Sequence, residues 1–255
     1  MASGPARRRA RPHARGALRG VRGSPRSEGI DGHDVSEHLS PSRWRRRRLA
    51  AQKKSPVASE RDEEARGLWR WLASRFDARR LVFIDESGFN ISMTRLRSRA
   101  PKGKRAYGRV PRNRGKNQTL IASISLRGGM GEAISIKGGT DAEVFERYVE
   151  DFLAPSLKVG QVVVLDGLGA HRTARVRELI EARGCDLVFM PSSYSPDLNP
   201  IEEAFSKIKN LVRKAGARTR ELLDEAMGDA MRAVTLEDVL GWFTHCGYKA
   251  RDQYS

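Results

Sequence analysis

The sequence predicts an α/β fold, a mixed sheet flanked by helices and preceded by a disordered basic tail. Three observations carry that expectation. Short apolar runs at 81–84, 161–165 and 187–190 have strand length and end in acidic or turn residues. Amphipathic stretches at 172–183 and 200–214 alternate with the last two runs, as a βαβα unit does. The first 54 residues hold 15 Lys/Arg against four acids, within a chain of formal net charge +17, and have too few apolar residues to fold.

Taken in order, residues 1–43 read as the disordered Arg-rich tail. Such a tail either binds polyanions through phosphate contacts or has no selected role. Residues 44–80 read as a linker and lead-in helix. A basic cluster at 43–48 holds one aromatic, Trp44, and residues 59–64 open a helix with acids in its first turn. Leu68, Trp69, Leu72 and Phe76 are its expected apolar stripe. The expected catalytic domain spans 81–216. Its first strand, 81–85, leads into two further strands within 89–126 around a basic excursion, Thr119–Ile124 being the better of them. An edge follows at Ile134–Ile136. Asp141 to Leu153 reads as an amphipathic helix with Val144, Phe145, Tyr148, Val149 and Phe152 inward. Strand 161–165, helix 172–183, strand 186–190 and helix 200–214 come next. A C-terminal helical extension, 217–255, holds two helices within 219–245 around Leu222, Leu223, Met227, Met231, Val239, Leu240 and Phe243.

The stretch 189–210, FMPSSYSPDLNPIEEAFSKIKN, is the most informative in the chain. Pro196 suits the second position of a turn. Asn199 reads as an N-cap and Pro200 as the first helical residue. Glu202 then falls in the first helical turn. Asp85 and Asp166 each end an apolar strand, at the carboxyl edge where open α/β sheets place their chemistry. Each acid has a structural reading too: DESG (85–88) and Asp166-Gly167 are turn sequences, and Asn199 with Glu202 resembles a capping box. All three together favour chemistry. Three hard oxygen ligands suit Mg²⁺ or Mn²⁺. Two such ions about 4 Å apart clamp the attacking and leaving oxygens of a phosphodiester. His171, five residues after Asp166, and Asn199 are auxiliary candidates. Lys102, Lys104, Arg105, Arg109, Arg112, Arg114 and Lys116 crowd a Gly-containing loop with no acid, a candidate contact for the DNA backbone.

Three motifs, FIDESGFN (83–90), VVLDGLGAH (163–171) and YSPDLNPIEEAFSKIK (194–209), resemble the DDE transposases, in particular the bacterial insertion-sequence branch of the mariner superfamily. The resemblance runs from about Gln52 to Tyr248. It implies a ribonuclease H-like fold in which Asp85, Asp166 and Glu202 are the metal-binding triad, with Mg²⁺ or Mn²⁺ as cofactor. The implied substrates are double-stranded DNA at mobile-element ends and a target, typically at a TA step. A homodimer on the DNA and a separate helix-turn-helix polypeptide are the expected protein partners, since residues 1–58 hold no pair of periodic helices. Two departures stand near the triad: Gly167 replaces the family's usual Asn, and the loop 191–194 is one residue longer than usual.

Composition narrows the alternatives. Cys185 and Cys246 lack zinc spacing and read as reduced thiols of a cytosolic protein; the resemblance implies a bacterial, nucleoid-associated one. No apolar run reaches the 18 residues needed to span a membrane. The competing expectations are a catalytically silent basic DNA-binding remnant and another ribonuclease H-like nuclease.

Overall fold

The structure is a computed structural model that describes residues 62–191 and 196–250. The tail expected at 1–43, the linker up to residue 61 and the last five residues of the expected extension lie outside the described residues.

Strands β1 (Leu81–Phe89), β2 (Gln118–Ser125), β3 (Gly129–Lys137), β4 (Val162–Leu165) and β5 (Asp186–Phe189) form one sheet in the order β3-β2-β1-β4-β5. β1 pairs antiparallel with β2 and parallel with β4, so the sheet is mixed. Alternation along β1 divides the core in two. Leu81, Phe83 and Phe89 face a cluster with Ile201, Phe205 and Ile208 of α5 (Pro200–Ala215), whereas Val82 and Ile84 face Phe145 of α2 (Ala142–Tyr148) and Val176 of α4 (Ala174–Glu181). A sheet covered on both faces needs apolar side chains at every position, which the four buried residues of β4 supply.

Several expectations need correction. The first strand does not end at Asp85: it continues to Phe89 because Gln118–Ala122 supplies ladder partners for Asp85–Phe89. Residues 90–117 therefore contain one excursion and no second strand. In α1 (Glu63–Ala73), capped by Asp62, the inward face is Arg66, Trp69 and Ala73, and Leu68 is exposed. Helix α2 passes through a π turn at Val149–Leu153 before the short α3 (Ala154–Ser156). The wider turn rotates the inward face by one position, so Leu153 is buried and Phe152 is exposed. α6 (Arg220–Arg232) and α7 (Leu236–His245) bury Leu223, Met227, Val239 and Phe243, but turn Leu222 and Leu240 to solvent.

Two long-range contacts hold the turn that enters α5. The buried Arg66 guanidinium grips Asp197 through Nη1–Oδ1 at 3.0 Å and Nη2–Oδ2 at 2.5 Å. Trp69 Nε1 donates to the Tyr248 hydroxyl at 2.9 Å, which in turn donates to the Leu198 carbonyl at 2.6 Å. Among the described residues no helix is long and apolar enough to cross a membrane.

Candidate active site

The last parallel pair before the acids joins Phe83 to Val164. Asp85 and Asp166 each lie two residues further along: alternation puts Asp85 on the face that α5 covers, and Asp166 follows the last residue of β4. Glu202 enters from above, in the first turn of α5. The helix starts there because Pro200 occupies its first position, where a missing N–H costs nothing.

Asp85 is held on both oxygens. Its Oδ1 accepts the Glu86 N–H at 2.7 Å, and its Oδ2 accepts from Asn199 Nδ2 at 2.9 Å. Burial, reinforced by repulsion from Glu202 and Asp166, pushes this carboxyl up to about 7. The expectation that Asn199 caps α5 through its side chain is corrected. Its backbone has the N-cap position, yet it makes no side-chain cap hydrogen bond, because the amide is committed to Asp85. The Asn199 Oδ1 is buried without a hydrogen-bond partner.

Asp166 lives differently. Its Oδ1 accepts the Leu168 N–H at 3.0 Å and stands 2.6 Å from His171 Nδ1. Burial would raise it, but the hydrogen bonds from His171 and Leu168 hold it below the usual carboxylate range. His171 is 1% exposed, and its Nε2 lies 2.9 Å from Glu86 Oε1. Burial opposes its charge, while bonds to Asp166 and Glu86 lift it to about 9. At neutral pH it is an imidazolium donating from both nitrogens. Its ring also lies over Phe145, with centroids 4.1 Å apart.

Glu202 is raised by burial, opposed by the Lys209 charge and reinforced by Asp166. Glu86 and Lys209 are therefore part of the site although the motif reading passed over them. The signals were present: Glu86 follows Asp85 in a strand and must point to the other face, and Lys209 lies two helical turns beyond Glu202. Lys102, Lys104, Arg105, Arg109, Arg112, Arg114 and Lys116 make no ion pair with these acids among the described residues. All seven are exposed, on the excursion that leaves β1 four residues beyond Asp85.

What the site can bind follows from its donors. Three carboxylates and an uncommitted amide oxygen are hard ligands, and the mutual repulsion around Asp85 is what a divalent cation relieves. In chemistry and charge they fit such an ion. Among the described residues no three His, Cys, Asp or Glu side chains are grouped at ligating distance.

Comparison with known proteins agrees with this class of site. Residues 80–224 match the model of the DDE superfamily endonuclease family, and the chain belongs to that family. It is 27% identical over 197 residues to the transposable element Tcb2 transposase of Caenorhabditis briggsae, covering 72% of this chain and 71% of that one. Among solved structures it resembles a Mos1 transposase paired-end complex with the left transposon end, with TM-score 0.61 and 19% identity over 78% of this chain. It spans 64% of that transposase chain, less than two thirds. A mariner Mos1 paired end complex with Mg gives TM-score 0.59 and 17% identity, covering 80% of this chain and 68% of the other. The shared architecture is the ribonuclease H-like fold: a mixed five-stranded sheet flanked by helices.

Proposed function

We propose that this chain is the catalytic part of a transposase of the bacterial insertion-sequence branch of the mariner superfamily. It would cut DNA at mobile-element ends and join the freed ends to target DNA. One observation carries the reading: two acids, each two residues beyond the last parallel pair of neighbouring strands, electrostatically coupled to a third at a helix mouth. The catalytic unit at 81–216 contains all three.

In this reading Asp85 and Asp166 hold Mg²⁺ or Mn²⁺ and Glu202 completes the ligand set. The bound cation supplies neutralising charge for the attacking and leaving oxygens of the phosphodiester. The chain's own residues do the rest. His171 and Glu86 fix the rotamer of Asp166. Asn199 orients Asp85, and Lys209 keeps Glu202 ionised enough to serve. The seven excursion bases offer backbone contacts to duplex DNA. A dimer on the DNA and a separately encoded helix-turn-helix polypeptide would select the element ends, in a nucleoid-associated setting.

The test is cleavage of a labelled element-end duplex by the full chain and by a chain lacking residues 1–54. Nicking that requires Mg²⁺ or Mn²⁺ and disappears in Asp166→Asn supports the proposal. No nicking by either chain, with DNA binding intact, would leave only a silent DNA-binding remnant. Equal nicking of shuffled DNA would point to a general nuclease.

A further inference from the structure

The end of α5 remote from the acids carries a second charged site. Gly216 closes the helix with φ 66°, and Arg218 Nη1 then reaches the carbonyls of Ile91, Met93 and Ala217, each at 3.1 Å. These bonds tie the root of the excursion to the end of α5. At the excursion's tip the Lys104 N–H donates to the Pro101 carbonyl at 2.9 Å, with Gly103 at φ 79°. A type II turn needs positive φ at that position. The chain then comes back, so that segments 94–98 and 106–110 enclose a groove of about 480 Å³ with the last turn of α5.

Arg95, Arg97, Arg213, Lys214 and Arg218 line this groove, and no carboxylate does. Among the described residues none of the five forms an ion pair, whereas Arg80, Arg175, Arg177, Lys207 and Arg232 each do. Glu225 and Asp229 line an adjoining hollow that Arg95 and Lys214 also border, and Asp229 is taken by Arg232 at 2.5 Å. Like charges gathered on a concave surface repel one another, and none of the five is neutralised by an ion pair among the described residues. A polyanion neutralises them.

We infer that this groove holds the sugar–phosphate backbone of duplex DNA on the segment leading away from the cleavage point. The identity of the polyanion rests on the proposed function; the groove itself does not. Arg213 and Lys214 lie three helical turns along α5 from Glu202, roughly 17 Å at 1.5 Å per residue. Along one DNA strand that span is about five phosphates at 3.4 Å each. None of these cations belongs to the seven bases that the sequence singled out, which lie on the tip and the returning limb.

Metal-free binding of the full chain to a duplex, followed by anisotropy across a salt series, tests the inference. The quadruple variant Arg95→Ala/Arg97→Ala/Arg213→Ala/Lys214→Ala removes four cations and spares Arg218, which anchors the loop. Its log K against log salt slope is expected to flatten by about 0.9 per lost contact, about 3 to 4 in all. The control Arg147→Ala/Arg175→Ala/Arg177→Ala/Arg232→Ala changes the net charge equally and is expected to move the slope by less than one contact. Equal slopes for the two variants, or a loss confined to single-stranded DNA of the same length, overturn the inference. Should the quadruple variant melt early, Arg213→Ala/Lys214→Ala keeps good helix formers in α5 and is expected to give half the change. With no divalent ion present, a failure here is separate from a failure to nick.

Discussion

Asp85 and Asp166 are the same chemical group at matching positions of neighbouring strands, yet their proton affinities move in opposite directions. The difference comes from what each face of the sheet supplies. Toward α5, Asp85 meets a neutral amide and a second carboxylate. Around the strand end, Asp166 meets an imidazolium that Glu86 holds from the opposite face. Register alone makes a pair of acids, and their surroundings divide it into one held ionised and one poised near neutrality.

The largest way to break this asymmetry is His171→Ala. It strips a buried cation from two carboxylates and is expected to cost about 3–5 kcal/mol, read by denaturant titration. The pH dependence checks the cause. Because the folded His171 value, about 9, is above its ordinary 6.5, its stabilisation is complete below pH 6.5 and lost as pH rises through about 9. That alkaline loss should vanish in the variant; if it persists, another group titrates there.

Asp85→Asn acts in the opposite sense. A carboxyl raised from 3.8 to about 7 makes the wild type lose stability between about pH 4 and 7, by at most about 4 kcal/mol. Thermal melts at pH 8 should find the Asn variant more stable than wild type, with the order reversed or equal at pH 4, and nicking abolished. A variant less stable at both pH values would mean that Asp85 carries no such strain.

Divalent ions should sharpen the same contrast. Mg²⁺ or Mn²⁺ at about 100 times its Kd should stabilise the chain by about 2.7 kcal/mol, and the gain should shrink in Asp85→Asn/Asp166→Asn. An undiminished melting shift in that variant would place the ions elsewhere. The smallest effect is expected from Glu202→Gln. Since no capping box forms at α5, stability should change by about 0.5 kcal/mol or less, while nicking is lost. A cost above about 1 kcal/mol would restore the capping role.

Where the sequence was informative, one physical signal dominated. The strands of the parallel unit and helix α5 were legible because apolar runs and 3.6-residue periodicity coincide with turn chemistry at their ends. The extension of β1 past Asp85 was not, because DESGF (85–89) reads as a turn and only the partner strand β2 makes it extended. Arg66 lay outside the apolar stripe expected of α1; its partner Asp197 lies 131 residues away, and spacing within a helix cannot announce that. Asn199 has the sequence of a cap and the position of one, but the proximity of Asp85 redirects its side chain. The motifs proposed the three acids as a triad, whereas Glu86 and Lys209 needed the fold to bring them in.

The grip of Arg66 and Tyr248 on the turn before α5 has a mechanical consequence. Asp197 and Leu198 lie just ahead of Asn199 and Glu202, so α1 and the 248 region pin from two sides the turn from which the third acid departs. A chain trimmed to begin at Leu81 would keep every acid and lose the Arg66 fork on Asp197, leaving the turn to the Tyr248 bond on Leu198 alone.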